Sequence, residues 1–143
     1  MQVLVLNGVN LDMLGHRDPA VDGGLSLNEL ETQIYGWAQE LSLSVRCRQT
    51  NSEGEYVSWI HEALDGTDGL IVNPGAWTHY SYAIRDALEI FPREVVEVHL
   101  SNVEEREEWR RRSVISDVVS LLILGKGADG YHEALRHLTG ARA

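Results

Sequence analysis

Val3-Leu4-Val5-Leu6, followed at once by Asn7-Gly8-Val9-Asn10, is the stretch that decides the fold. Four consecutive apolar residues suit a strand covered on both faces, as strands in parallel sheets are. Similar segments recur at residues 43–47, 69–72, 95–100 and 118–124. Helical patterns lie between them. Ser26 with Glu29, and Ser52 with Glu55, have capping-box spacing and predict helices over 27–41 and 56–64. A third pattern covers 80–90 and stops near Pro92, and a last one covers 131–138. This alternation predicts a doubly wound, five-stranded parallel α/β sheet of flavodoxin-like order 2-1-3-4-5, with ligands bound beyond the carboxyl ends of the strands.

Composition bounds the rest. With 143 residues the chain is expected to form a single domain over 1–143. The apolar fraction is 43% and the charged fraction 24%, both ordinary for a globular protein, and no apolar run is long enough to span a bilayer. Met1 leads directly into the first apolar run without a secretory signal, which predicts a cytoplasmic protein. The lone Cys47 cannot form an internal disulfide and reads as a small packed hydrophobe, although Arg46 and Arg48 flank it. A net charge of -10 argues against nucleic acid and anionic membranes as partners. The one basic cluster, Arg110-Arg111-Arg112, reads as a solvated helix face or a local anion site.

Residues 8–25 form a connection far longer than this fold needs, and such loops are usually functional. By contrast, Gly125-Lys126-Gly127-Ala128-Asp129-Gly130 matches a dinucleotide fingerprint but has no following strand or acidic residue to complete it. It reads as a tight strand-to-helix turn. The P-loop, nucleophile-elbow and zincin motifs are missing, and His132 with His137 is too sparse a set for a metal. The informative residues follow the strands: Asn7 and Asn10, then Asn73 with Thr78-His79, then Glu97-Val98-His99-Leu100-Ser101. Glu97 and His99 stand on one strand face, where a carboxylate orients an imidazole and suits it to acid catalysis. Amides and imidazoles gathered at one sheet edge suit a hydroxylated, anionic small molecule.

These segments, together with Leu14-Gly15-His16-Arg17-Asp18-Pro19, Asn51-Ser52-Glu53-Gly54-Glu55, Arg85-Asp86 and Gly127-Ala128-Asp129-Gly130-Tyr131, resemble the type II 3-dehydroquinate dehydratases along essentially the whole chain. The resemblance implies a lyase that needs no cofactor or metal, converts 3-dehydroquinate to 3-dehydroshikimate through an enolate, and assembles as trimers within a dodecamer. It implies Arg17 as the arginine that activates the base, Asn10 as the holder of a water at the enolate, and His99 as the acid, oriented by Glu97. Asn73, His79, Leu100, Ser101 and Arg110 match ring and carboxylate contacts, Arg106 a second loop-closing arginine, and Asp86 a group supplied to a neighbouring subunit.

At one position the chain departs from the pattern. The family's catalytic Tyr falls where this sequence has Asp22, in Arg17-Asp18-Pro19-Ala20-Val21-Asp22-Gly23-Gly24. Carboxylates have a reference pKa of about 3.9 against about 10 for a phenol, so Asp22 is a far weaker base. Val9, Tyr80 and Tyr82 also differ from the residues usual there; both tyrosines are expected to pack against a neighbouring subunit. Three readings follow: a dehydratase with Asp22 as substitute base, a repurposed relative using Asp22 and His99 on another polar small molecule, and a non-catalytic binder of a shikimate-type ligand.

Overall fold

The structure is a computed structural model that describes residues 1–142, the side chains of Asp22, Ala141 and Arg142 lying outside the described set. Its apolar runs become five parallel strands: β1 (Gln2–Asn7), β2 (Ser44–Gln49), β3 (Gly69–Asn73), β4 (Glu94–His99) and β5 (Leu121–Leu124). They are ordered β2-β1-β3-β4-β5, the order the alternation predicts. The described helices are α1 (Pro19–Asp22), α2 (Leu27–Glu40), α3 (Glu53–Glu62), α4 (Tyr82–Ile90), α5 (Glu108–Arg111) and α6 (Asp129–Arg142).

Strand alternation splits the core into two layers. Val3, Val5, Ile71, Val96 and Val98 pack against Leu30 and Ile34 of α2 and Tyr131, Ala134 and Leu135 of α6. Leu4, Leu6, Leu70, Val72 and Val95 pack on the other face against Tyr56, Trp59 and Ile60 of α3 and Ile84, Ala87 and Leu88 of α4. Cys47 sits partly buried at the edge of the first layer, where burial pushes its thiol up to about 12. Despite the flanking arginines, the thiol stays protonated and packs as a small hydrophobe.

The boundaries differ in instructive ways. At α2 the capping box is complete: Glu29 N–H donates to Ser26 Oγ at 3.1 Å, and Ser26 N–H to Glu29 Oε1 at 3.2 Å. At α3 only half of it forms. Glu55 N–H donates to Ser52 Oγ, but Ser52 N–H goes to Thr50 Oγ1 at 3.0 Å, and the helix begins at Glu53 rather than residue 56. The 80–90 pattern starts later, because Gly75–His79 is a 3-10 helix and Ser81 caps α4 by accepting from Ile84 N–H. Likewise β5 begins at Leu121 rather than residue 118, since Ser116–Val118 is a 3-10 turn. α6 runs beyond 131–138 at both ends. The long 8–25 connection carries a 3-10 turn at Leu11–Met13 and the short α1, whose N-cap Asp18 accepts from Ala20 N–H at 3.0 Å.

Candidate active site

Strand order brings the carboxyl ends of β1, β3 and β4 side by side, with Asn7 opposite Asn73 in register. Asn7 and Asn73 continue the face that packs on α2 and α6, whereas Glu97 and His99 continue the face that packs on α3 and α4. Beyond these ends opens a cavity of about 100 Å³. Asn10, Arg17, Asn73, His79, His99, Leu100, Ser101, Arg106 and Arg110 line it, along with Val9, Leu11, Leu14, Gly75, Ala76 and Val103. Of these, Asn10, Asn73, His79, His99 and Ser101 lie at or just after strand ends and were expected at one edge, whereas Arg17, Arg106 and Arg110 were implied only by the family resemblance.

Two expected residues stand off the described cavity wall, in keeping with the roles expected of them behind His99 and toward a neighbouring subunit. Glu97 is fully buried behind His99 rather than on the cavity wall. Asp86 sits on α4, exposed and away from this chain's own cavity. Asp22 ends α1, and its side chain lies outside the described residues.

The Glu97–His99 pair is the tightest polar contact at the site. His99 Nε2 lies 2.5 Å from Glu97 Oε2, with Glu97 0% and His99 7% exposed. Thr78 Oγ1 donates to the same carboxylate oxygen at 2.6 Å, and Ser116 Oγ donates to Oε1 at 2.9 Å. Burial pushes the Glu97 carboxyl up, but bonding to His99, Thr78 and Ser116 outweighs it and holds the group below its ordinary value. Glu97 is thus an ionised acceptor, and His99 Nε2–H is its donor. That leaves Nδ1 as the His99 nitrogen available to a ligand.

His79 is oriented by the opposite logic. Its Nδ1–H donates to the Arg112 carbonyl at 2.6 Å, and its ring meets Trp109 edge-on at 5.3 Å between centroids. Burial holds its pKa below the ordinary 6.5, so the ring is neutral at pH 7 and Nε2 is an acceptor. Arg110 lies over Trp109 at 4.1 Å and pairs with Glu107 at 2.7 Å. With Arg17 and Arg106 it puts three guanidinium groups on the wall of a cavity in an otherwise acidic chain. Such a wall favours a carboxylate ligand.

Asn10 takes a left-handed backbone, φ 68°, and its N–H donates to Asn51 Oδ1 at 2.9 Å. Asn51 in turn donates to Asp12, so the loop is tied to the turn after β2. The support that Thr78, Ser116 and Asn51 give was not deduced from the sequence. Thr78 and Asn51 lie within quoted motifs, but nothing in the local pattern marks Ser116.

A flavodoxin-like sheet with a buried Glu97–His99 pair and half-buried guanidinium groups at its carboxyl edge defines an α/β protein with a small-molecule site. Its relatives are known in more detail. The family description Dehydroquinase class II matches residues 1–139. A 3-dehydroquinate dehydratase from Pelobacter propionicus is 50% identical over 135 residues, covering 94% of this chain and 91% of that protein. The crystal structure of type II dehydroquinase from Butyrivibrio crossotus superposes with a TM-score of 0.95 at 44% identity, covering 97% of each chain. Another, from Propionibacterium acnes, gives 0.94 at 44% identity over 97% of this chain and 96% of the other. The chain belongs to the type II dehydroquinase family.

Proposed function

We propose that the chain is a 3-dehydroquinate dehydratase-type lyase in which Asp22 stands in for the usual phenol base. The observation that carries this reading is the His99–Glu97 pair at a cavity shared with Asn10, Arg17, Asn73 and Arg110. Elimination of water from a β-hydroxy ketone needs a base at the α-carbon, stabilisation of the enolate oxygen and an acid at the departing hydroxyl. Asp22 takes the C2 proton, and the C–H electron pair moves onto the ketone as an enolate. Asn10 holds a water against that oxygen. As the enolate collapses, the C1–O bond breaks and His99 Nδ1–H protonates the leaving hydroxyl to water. Glu97 stabilises the imidazolium before that transfer. Arg17 sits with the base on the loop, and Arg110, Arg106, Ser101, Leu100, Asn73 and His79 hold the carboxylate and ring hydroxyls.

This reading also assigns the assembly and the place of action. Asp86, exposed on α4 and away from its own cavity, serves the cavity of a neighbouring copy in a trimer, and trimers form a dodecamer. Tyr80 and Tyr82, 60% and 68% exposed on the same segment, are covered in that assembly. No described helix is long and apolar enough to cross a membrane, and we place the reaction in the cytoplasm.

One observation favours a second reading. With a carboxylate at position 22 beside an intact acid side, the same pair suits an elimination, cyclisation or epimerisation on a more acidic carbon acid. Incubation of the pure protein with 3-dehydroquinate separates the two. A rise in enone ultraviolet absorbance supports the dehydratase, and no rise overturns it.

A further inference from the structure

The glycine-rich turn from Gly125 to Gly130 has no part in the chemistry above, yet it decides where α6 begins. Gly127 N–H donates to the Leu100 carbonyl at 3.1 Å, tying the turn to the end of β4. A Cβ on Gly130 would lie 3.0 Å from Val98 Cγ1 and 3.3 Å from Ile123 Cγ2, so the absence of a side chain lets the helix sit close to the sheet without displacing either one. The next residue, Tyr131, is fully buried. Its hydroxyl lies between the paired strand ends, donating to Asn7 Oδ1 at 2.7 Å and accepting from Asn73 Nδ2 at 3.0 Å.

We propose that Tyr131 is a positioning residue for ligand binding: its hydroxyl, clamped by Asn7, fixes the Asn73 amide so that an N–H faces the cavity. The argument is one of donors and acceptors. A phenol has one hydrogen, and Tyr131 gives it to Asn7. Toward Asn73 it acts as an acceptor, which calls for the nitrogen end of that amide. The oxygen end of Asn73 is taken by Gly75 N–H at 3.1 Å. Reversing the Asn73 amide would face its oxygen with a hydroxyl that has no hydrogen left, and its nitrogen with the Gly75 N–H. One Nδ2 hydrogen is spent on Tyr131, so the second is the amide's remaining polar contact, and Asn73 lines the cavity.

Asn7 shows how firmly the clamp is set. Its own Nδ2 is fully buried and has no hydrogen-bond partner among the described residues, a costly state for an amide. Turning Asn7 around would only transfer the orphan to the Tyr131 hydrogen. Burial also pushes the Tyr131 hydroxyl far above the usual phenol range, so it stays protonated as donor and acceptor. The consequence is a polarity rule for the ligand. Where it meets Asn73 it must present an oxygen lone pair, whereas at His79 Nε2 it must present a hydroxyl hydrogen.

The choice of ligand rests on the proposed function; the role of Tyr131 does not. Quinate, a hydroxylated cyclohexane carboxylate without the reactive ketone, is titrated calorimetrically into wild type, Tyr131→Phe, Asn73→Ala and the double variant. The proposal expects Tyr131→Phe to weaken binding by about five- to tenfold, the loss of one well-placed hydrogen bond. In the Asn73→Ala background the same substitution should cost nothing further, because Tyr131 acts through Asn73. Equal affinity of Tyr131→Phe and wild type, or a full additional loss in the double variant, would overturn it. A second readout needs no ligand. Hydrogen exchange of the Asn73 side-chain amide, followed by NMR, should quicken at least about tenfold in Tyr131→Phe while β3 backbone amides keep their protection. Unchanged Asn73 exchange overturns the positioning role. Failure of quinate to bind wild type overturns the ligand assignment alone, and the exchange measurement then decides the role of Tyr131.

Discussion

Glu97 Oε2 and His99 Nε2 lie 2.5 Å apart on one face of β4, and two hydroxyls, from Thr78 and Ser116, complete the shell of the carboxylate. The imidazole therefore meets a ligand through one defined nitrogen, with a buried negative charge behind it. Glu97→Gln keeps the shape and removes the charge. In the dehydratase assay it should lower kcat by roughly 10² or more, the scale of a mispositioned or under-charged acid. Retention of wild-type kcat would separate the pair from the chemistry.

The same carboxylate predicts an acid limb in stability. Its folded pKa lies below the ordinary 4.5, so the stability it contributes is present above 4.5 and is lost as pH falls through the folded value. Thermal midpoints of wild type should drop on acidification below about pH 4.5, with a shallower drop in Glu97→Gln. Parallel curves for the two proteins would contradict this.

His79 adds to the same acid-side loss of stability, in a higher pH window. Burial depresses its pKa below 6.5, so the folded protein keeps the ring neutral while the unfolded chain takes up a proton. Stability from this group is present above 6.5 and falls as pH drops toward the folded value. An NMR titration should give His79 a midpoint below 6.5, and a midpoint at or above it would contradict the assignment of Nε2 as an acceptor.

Gly8, between β1 and the loop, tests the backbone frame. A Cβ there would lie 2.6 Å from the Pro74 carbonyl oxygen and 2.9 Å from Trp77 Cε3. Gly8→Ala must part the β1 and β3 loops and should cost about 1–3 kcal/mol in urea unfolding, with weakened ligand binding. A neutral effect on both would contradict the close approach.

Much of this was legible in the chain itself. The near-continuous apolar runs of β1, β3 and β5 and the capping residues outlined the sheet and its two-sided helical cover, whereas edge strand β2 alternates polar and apolar residues. Residues at or just after strand ends, such as Asn10, His79 and His99, were legible as neighbours on one cavity because sheet topology carries them to one edge. Other features depend on contacts between distant segments. Ser116 reaches Glu97 from nineteen residues away and Tyr131 reaches Asn7 across the whole chain, and no local pattern encodes either. The late starts of α4 and β5 have the same origin, since a 3-10 turn precedes each.

The central claim is that a dehydroquinase site persists here around a changed base. Its most direct test is turnover of 3-dehydroquinate by wild type and Asp22→Tyr, followed by enone absorbance. With the rest of the site intact, Asp22→Tyr should raise kcat over wild type by roughly 10² to 10⁴, the usual contribution of a well-matched base. No gain, with neither protein forming the enone, would show that the cavity around His99 and Arg110 is no longer built for this substrate.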